Sequence, residues 1–299
     1  MKHVRFSVSV PATSANLGPG FDAVGMALAL RVRAEVESSS RFELRFEPGP
    51  DAPSHDGFEA AILRAMRRMT PELPRVRVRV TNGIPLGKGL GSSAAATVLG
   101  LSVAARARNI PLRRANLARL ACELEGHPDN ALPAVFGSVV IAASSDPRAY
   151  VRLRAPRELR ALVVVPSICL STPASRALLP ERYERADVVF TAQRAALLGA
   201  ALASGSWNEL GEAMRDRVHQ PYRVPQIPGM AEALALRDGA LIGSALSGAG
   251  PAMIALLRPR GAWPALARRL EACFERAGIA ARSLPLRSSA RGVLLEAAS

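Results

Sequence analysis

A glycine-rich segment that runs into an alanine-rich stretch constrains this chain more than any other feature. The segment reads PLGKGLGSSAA, with a glycine at every second position from Gly87 to Gly91. Glycines at this spacing let the backbone approach an anion closely, and the amides that open the next helix point their positive dipole end at it. The sequence therefore predicts a phosphate-binding loop and a helix from about Ser93 to Arg108, capped by its serines.

Two common phosphate-binding patterns do not fit this segment. In the Walker loop, Ser or Thr follows the Gly-Lys pair, whereas Gly89 follows Gly87-Lys88, and Asn82 stands where the first glycine belongs. The GxGxxG spacing of a dinucleotide fold is also missing. Taken alone, the segment is equally consistent with a purely structural turn.

Length and composition indicate a globular protein of one or two closely packed domains, because 49% of the 299 residues are apolar. The first residues alternate apolar and polar side chains, unlike a secretory leader, and no run of eighteen apolar residues lacks a charge or a turn former. We therefore expect a cytoplasmic protein without a membrane segment. The three cysteines, expected to be buried thiols, form no metal-binding or disulfide pattern.

The net charge of +14 raises the question of nucleic acid binding. All but two of the basic residues are arginines, and they are scattered along predicted helices and strands. Aromatic residues make up only 4% of the chain, which is poor for stacking on bases. We expect no nucleic acid partner and attribute the charge to an arginine-rich surface.

The order of predicted elements mixes strands and helices, as in α+β proteins. The first three strands are expected to be antiparallel, and a charged, proline-containing stretch suggests a boundary between domains 1–155 and 156–299. Hydrophobic periodicity predicts strands over about 4–10, 27–36, 42–46, 75–81, 161–165, 239–245 and 252–257, and helices over about 57–69, 93–108, 113–125, 185–203 and 262–277.

Three motifs in order make the chain resemble the GHMP kinases. PLGKGLGSSAA is similar to their nucleotide-binding motif, PATSANLGPGFD from Pro11 to Asp22 resembles the first motif in its homoserine kinase version, and LSGAGP from Leu246 to Pro251 resembles the third. The resemblance implies a ribosomal protein S5 domain 2-like N-terminal domain and a ferredoxin-like α/β-plait C-terminal domain, with ATP bound between them. The ATP-binding residues that it implies are Pro85, Leu86, Gly87, Lys88, Gly89, Leu90, Gly91, Ser92, Ser93, Ala94 and Gly248.

Further elements are similar to those of homoserine kinases, which phosphorylate a hydroxyl in threonine biosynthesis. By that resemblance, Glu125 in the ELEGHPDN segment and the hydroxyl of Ser93 would hold Mg²⁺ against the phosphates of ATP, a role that suits hard oxygen ligands. Paired arginines suit the carboxylate of L-homoserine, and Asp22 suits its ammonium group. The substrate-binding residues implied by the resemblance are Asn16, Asp22, His127, Asn130, Thr172, Arg176 and Arg223.

The proton acceptor in phosphoryl transfer stays open. Mevalonate-type relatives have an aspartate base where this chain, like homoserine kinases, has Asn130. In one version, positioning and charge neutralisation by Mg²⁺, Lys88 and the loop amides carry the transfer. In the other, Asp129 or His127 takes the proton.

Two rival functions also stay open. Another GHMP kinase, acting on mevalonate, a phosphorylated isoprenoid or a sugar, would carry the same loop. A basic nucleic-acid-binding protein would use the charge of +14 and would show binding that weakens steeply with salt. Dimers are common among the kinases, so a homodimer is an open alternative to a monomer.

Overall fold

The computed structural model describes residues 4–49, 57–143, 149–154, 159–259 and 261–297. The helices within these ranges are α1 (Gly57–Met69), α2 (Ser92–Ala107), α3 (Arg114–Glu125), α4 (Pro128–Phe136), α5 (Thr172–Ala177), α6 (Arg185–Ser204), α7 (Leu210–Ala213), α8 (Gln220–Arg223), α9 (Met230–Ala235) and α10 (Trp263–Arg276). The strands are β1 (Arg5–Asn16), β2 (Gly20–Ser38), β3 (Glu43–Phe46), β4 (Val76–Asn82), β5 (Val139–Ala142), β6 (Tyr150–Leu153), β7 (Arg160–Pro166), β8 (Leu241–Leu246), β9 (Met253–Leu257), β10 (Ala281–Arg287) and β11 (Leu294–Ala297).

The first sheet is built around the long hairpin of β1 and β2. Its order is β11-β1-β2-β4-β3, and β5 pairs with β2 and with β6. All of these pairs are antiparallel except β3 and β4, which run parallel. The expectation that the first three strands form one antiparallel set is therefore wrong for β3. It follows β2 without pairing with it and joins the sheet through β4.

The second sheet has the order β10-β7-β9-β8 and is antiparallel throughout. In chain order its strands follow a β-α-β-β-α-β path, the arrangement of ferredoxin-like domains. The C-terminal strand β11 leaves this unit and pairs with β1. The predicted boundary between 155 and 156 lies outside the described residues, and the division into 1–155 and 156–299 stays a prediction.

The two sheets share one hydrophobic core. Alternate residues of β7 point to opposite faces of the second sheet, as the two-residue period of a strand requires. Val163 and Val165 pack in the large core with the first sheet and α2, whereas Leu162 and Val164 pack with Leu270 and Phe274 under α10. The two sheets are thus joined through a close-packed core to which β7 contributes.

The mixed α+β prediction is confirmed, and most predicted elements appear within a few residues of their expected ends. Helix α2 begins at Ser92, but its N-cap is Gly91 in the left-handed conformation, and no side chain caps it. The predicted serine cap is therefore wrong. The short helix α4 was not predicted, because its sequence contains two prolines.

Two surface features bear on the sequence predictions. Cys122 and Cys273 are buried as expected, whereas Cys169 is exposed. Helix α6 is long and apolar enough to cross a membrane by length and composition alone, with 22% of its most apolar window buried. It also carries Asp187 and Arg194, which form ion pairs with Arg217 and Glu212 of the following segment. The absence of a membrane segment stays a prediction.

Candidate active site

The glycine-rich loop folds as a backbone cradle because its glycines adopt left-handed conformations. Gly87, Gly89 and Gly91 have φ angles of 66°, 75° and 64°, a region that other residues occupy only with strain. Leu90, which lies between two of them, is fully buried and anchors the loop in the core. The first turn of α2 follows at once, so its free amides open toward the loop.

The three sequence motifs meet at this loop. A Cβ atom on Gly91 would lie 1.8 Å from Oγ1 of Thr13, and one on Gly89 would lie 2.2 Å from the carbonyl oxygen of Ser247. The Ser247 hydroxyl donates to the carbonyl oxygen of Gly89 at 2.7 Å and lies 2.9 Å from Oγ of Ser14. The first and third motifs therefore fix the shape of the second by direct contact.

Asn16 connects the first motif to the third. Its amide nitrogen donates to the carbonyl oxygen of Gly248 at 3.0 Å, and its amide oxygen accepts from the backbone N–H of Asp22 at 3.1 Å. The side chain is almost fully buried. Both contacts hold the tight turn between β1 and β2, and this turn presents Asp22 to the cavity.

A cavity of about 410 Å³ lies between the loop and the second half of the chain. Its loop side is formed by Gly87, Gly89, Gly91, Ser92, Ser93, Ala94 and Glu125. Its arginine side is formed by Phe21, Asp22, Arg176 and Arg223.

A buried carboxylate lies on the loop side. The side chain of Glu125 is 6% exposed, and its Oε1 atom accepts hydrogen bonds from the hydroxyls of Thr97 at 2.6 Å and Ser93 at 3.2 Å. A guanidinium nitrogen of Arg64 lies 3.5 Å from the same oxygen. A hydroxyl and a carboxylate beside a phosphate cradle fit Mg²⁺, which takes few protein oxygens and completes its shell with phosphate oxygens and water.

The start of α4 places three polar side chains between the two sides. Asp129 is buried in the first turn of α4, where the helix dipole stabilises a negative charge. Its Oδ1 atom lies 2.5 Å from Nδ1 of His127 and 3.4 Å from Nδ2 of Asn130. The hydrogen bond to Asp129 raises the pKa of His127 above its ordinary value, against the opposing effect of burial.

The arginine side contains an ion pair that joins the two halves of the chain. Both terminal nitrogens of Arg176 donate to the two carboxylate oxygens of Asp22, each at 2.8 Å. This hydrogen bond raises the pKa of the Arg176 guanidinium. The two groups have the charges needed to receive an ammonium and a carboxylate. A bound zwitterion can therefore place its ammonium on Asp22 and its carboxylate on Arg176.

Arg223 is a buried cation without a carboxylate partner. It is 2% exposed, and within the described ranges no carboxylate lies at salt-bridge distance from it. Its guanidinium donates to the carbonyl oxygen of Ser175 at 3.3 Å and to Nδ1 of His219 at 3.2 Å. Burial, and then the charge of Arg176, lower the pKa of Arg223. A buried positive charge that lines a cavity is a strong binding site for an anion.

His219 and Phe21 hold this arginine in place. Nε2 of His219 lies 2.7 Å from the carbonyl oxygen of Gly18, so it carries the proton and Nδ1 accepts from Arg223. Burial lowers the pKa of His219 and keeps it neutral. Its ring stacks on Phe21 at 5.2 Å, and the guanidinium carbons of Arg223 and Arg176 lie 5.2 and 5.5 Å from the centre of the Phe21 ring.

Comparison with known proteins identifies the family. The model of the GHMP kinases N-terminal domain matches residues 58–138, and that of the GHMP kinases C-terminal domain matches residues 198–279. Homoserine kinase of Solibacter usitatus is 40% identical over 96% of this chain and 96% of its own. The chain belongs to the homoserine kinase family.

Two further relatives extend this result. Homoserine kinase of Thermus thermophilus is 43% identical over 83% of this chain and 86% of its own. The crystal structure of homoserine kinase from Cytophaga hutchinsonii superposes with a TM-score of 0.84 at 26% identity and covers 97% of both chains. The two-domain GHMP kinase fold expected from the motifs is thereby confirmed.

The structure brings most of the predicted site residues of this homoserine kinase family member to one cavity. Those that line it are Asn16, Asp22, Gly87, Gly89, Gly91, Ser92, Ser93, Ala94, Glu125, His127, Asp129, Asn130, Arg176, Arg223 and Gly248. Their individual roles stay predictions.

Lys88 is not brought to the cavity. Its ammonium group donates to the carbonyl oxygens of Ser167 at 2.8 Å and Ile168 at 2.5 Å, and it lies 3.4 Å from Sγ of Cys169. These contacts tie the loop to the segment after β7. The predicted action of Lys88 on the transferred phosphate has no support in this geometry.

The other predicted residues outside the cavity wall have different positions. Pro85 and Leu90 are buried and Leu86 packs against the core, so these three support the loop from behind. Thr172 opens α5, and its side chain lies outside the described part of the structure.

Sequence reasoning missed several residues of the site. Five side chains or backbones line the cavity without having been predicted, namely Phe21, Arg64, Leu124, Leu170 and Ala249. Phe21 lies inside the matched segment PATSANLGPGFD, so its position carried a usable signal. Arg64 lies on α1 outside every motif, and only the folded chain brings it to Glu125 at the end of α3.

Proposed function

We propose that this protein transfers the γ-phosphate of ATP to the hydroxyl of L-homoserine, which forms O-phospho-L-homoserine for threonine biosynthesis. The observation that carries the proposal is the arginine side of the cavity. There Arg223, a buried cation with no carboxylate at salt-bridge distance among the described residues, lies beside the Asp22–Arg176 ion pair, and the phosphate loop lies across the same cavity.

The loop side binds ATP in this proposal. The amides of the glycine loop and of the first turn of α2 surround the phosphates, because anions bind well at such termini. Ser93 and Glu125 would hold Mg²⁺, which supplies a positive charge that neutralises the phosphate oxygens during transfer. The hydrogen bonds from Thr97 and Ser93 orient the Glu125 carboxylate for that task.

The arginine side binds homoserine. Arg223 and Arg176 bind the carboxylate of the amino acid, and Asp22 accepts from its ammonium group. Each charge of the existing Asp22–Arg176 pair gains a new partner of opposite sign, so binding leaves no buried charge alone. Asn16 and Asn130 also line the cavity and can hydrogen-bond the polar groups of the amino acid.

The residues of α4 favour transfer by positioning over transfer through a base. Both acceptor candidates are already engaged, since Oδ1 of Asp129 contacts His127 and Asn130. Nδ1 of His127 is occupied by its hydrogen bond to Asp129, which also raises the pKa of the ring. The Asp129–His127 pair instead adds a fixed dipole near the reacting hydroxyl. The proton of this hydroxyl then passes to a phosphate oxygen or to solvent late in the transfer, as the bond to ADP breaks.

The location and partners of the protein complete the proposal. We place it in the cytoplasm, with L-homoserine and ATP as its ligands and without a nucleic acid or membrane partner. The basic surface then serves general attraction of anionic nucleotides.

A coupled assay of ADP release with Mg-ATP tests the proposal. L-homoserine, mevalonate, galactose and no acceptor are compared at equal concentration. The proposal predicts strong stimulation by L-homoserine alone. Stimulation by mevalonate or galactose instead would keep the family fold and overturn the substrate, whereas no ADP release with any acceptor would overturn phosphoryl transfer.

A further inference from the structure

Arg64 supplies the guanidinium group on the loop side of the cavity. Within the described residues, three arginines line this cavity, and Arg176 and Arg223 both belong to the arginine side. Lys88, the lysine of the loop, points away toward Ser167 and Ile168. Phosphates that enter the cradle would therefore meet Arg64 as the nearest guanidinium, from a helix that no motif covers.

The contact between Arg64 and Glu125 is loose. The distance from the guanidinium nitrogen to Oε1 is 3.5 Å, which is longer than the roughly 2.8 Å of a good charge-assisted hydrogen bond. Half of the Arg64 side chain is exposed, whereas the carboxylate is buried and already accepts from two hydroxyls. When Arg64 leaves Glu125, the guanidinium can be solvated and the carboxylate keeps its hydrogen bonds from two hydroxyls.

A neighbouring ion pair on the same two helices shows what an ordinary surface contact looks like here. Arg68 lies one turn after Arg64 on α1, and its guanidinium is 3.3 Å from the carboxylate of Glu123 on α3. Both partners are half exposed, and neither lines the cavity. Arg64 differs in facing the cavity and in sharing its partner with the Ser93 hydroxyl.

We propose that Arg64 binds the phosphates of the nucleotide, and that Glu125 holds its guanidinium at the cavity wall until the nucleotide arrives. This inference rests on the proposed ATP-dependent function. A divalent cation held by Glu125 would neutralise the carboxylate and weaken its attraction for the guanidinium. Arg64 would then be free to bind the phosphate oxygens through two parallel hydrogen bonds. Arg64 is thus a nucleotide-binding residue for this family's reaction.

Calorimetric titration with ADP tests the proposal on the intact protein, with and without Mg²⁺. The variants are Arg64→Gln, which keeps part of the stem and removes the charge, Arg64→Lys, which keeps the charge, and Arg68→Gln as the matched control. We expect Arg64→Gln to weaken ADP binding about tenfold, the effect of losing one charged hydrogen-bonding group. Arg64→Lys should recover part of the loss, and Arg68→Gln should stay within about twofold of the wild type.

Three results would overturn the inference. Unchanged ADP affinity in folded Arg64→Gln would reduce the contact to a structural ion pair. Equal losses in Arg64→Gln and Arg68→Gln would show a general effect of surface charge. If Arg64→Gln fails to fold, Arg64→Lys serves in its place. An ADP affinity and a salt dependence equal to those of the wild type would then exclude a phosphate contact that requires the guanidinium group. Failure of the wild type to bind ADP would instead overturn the proposed function itself.

Discussion

The loop side and the arginine side of the cavity achieve recognition in different ways. The loop side uses backbone amides from one continuous segment, held by glycines whose left-handed conformations other residues cannot adopt without strain. The arginine side uses charged side chains from segments more than 150 residues apart, as in the contact of Asp22 with Arg176. The loop side is therefore formed within one segment of the chain, whereas the arginine side forms only when the two sheets pack together.

This difference separates two tasks of a kinase. The triphosphate group is the same in every nucleoside triphosphate, so a backbone cradle with a fixed shape suffices for the donor. An acceptor is distinguished by its own charges, and the side chains that match those charges can change without altering the fold. Substitutions of the loop glycines should therefore damage folding and nucleotide binding together, whereas those on the arginine side should affect the acceptor alone.

The largest effect is expected for Gly91→Ala. Its Cβ atom would lie 1.8 Å from Oγ1 of Thr13 and 2.9 Å from Oδ1 of Asn130, at a φ of +64°. Strain and overpacking together should lower the free energy of unfolding by roughly 3 kcal/mol or more, measured by urea denaturation. ADP binding should be lost with it.

Gly278→Ala is the matched control for Gly91→Ala. Gly278 has a φ of +78° and open space around its Cα, so it reports the backbone strain alone, about 1–2 kcal/mol. Its ADP affinity should equal that of the wild type. Equal destabilisation by the two substitutions would contradict the close packing of the loop against Thr13.

Arg176→Ala should change the acceptor and leave the donor unchanged. Loss of a charged hydrogen-bonding partner for the carboxylate predicts a fall in kcat/KM for L-homoserine of about 100-fold. ADP affinity should stay within about twofold of the wild type, and Arg176→Lys should rescue poorly because an ammonium cannot bind both oxygens as the planar fork does. Arg217→Ala, which breaks an exposed ion pair with Asp187 in the same half of the chain, is the control. A parallel loss of ADP affinity in Arg176→Ala would break the separation between the two sides.

Asp129→Asn tests whether the region between the two sides supplies a base. Transfer by positioning predicts that kcat falls by less than about 100-fold, since general base catalysis contributes that much or more. Glu123→Gln, an exposed acid outside the cavity, controls for the change in charge. A larger loss of kcat in Asp129→Asn, with folding intact, would assign the proton to the carboxylate.

The smallest expected effect is on the pH dependence of the free energy of unfolding, to which the two histidines contribute in opposite directions. His127 has a raised pKa when folded, so its contribution to stability is complete below the ordinary histidine pKa and disappears as the pH rises through the folded value. His219 has a lowered pKa, so its contribution is present above the ordinary value and is lost as the pH falls below it. Chemical denaturation of His127→Gln and His219→Asn over pH 5 to about 9 should change the pH slope in opposite directions. Slopes that change in the same direction would refute the assigned environments.

The two sides also differ in how far the sequence predicts them. The loop side follows from local rules, because alternating glycines and a helix start are contiguous in the chain. The cap was misassigned, since the serines lie inside the helix and Gly91 precedes it. The arginine side was predicted through resemblance to a family, because physical rules alone do not select Arg176 and Arg223 from among dozens of arginines.

The remaining discrepancies come from long-range packing. Lys88 lies within the loop, and its side chain is expected there to contact the phosphate. In the structure a left-handed glycine precedes and follows it, and its side chain points toward Ser167. Arg64 was missed for the converse reason, since its helix meets α2 only in the folded chain. The neighbours of a residue in the sequence thus predict its backbone conformation better than they predict the direction of its side chain.

The most direct test of the account compares L-homoserine with L-homoserine amide, in which the carboxylate is replaced by a neutral group. Values of kcat/KM are measured for both acceptors with the wild type and with Arg176→Ala at saturating Mg-ATP. Recognition of the carboxylate predicts that the wild type prefers L-homoserine by about 100-fold or more, and that Arg176→Ala loses most of this preference. Equal use of the two acceptors by the wild type would contradict the claim that the arginine side selects the substrate through its carboxylate.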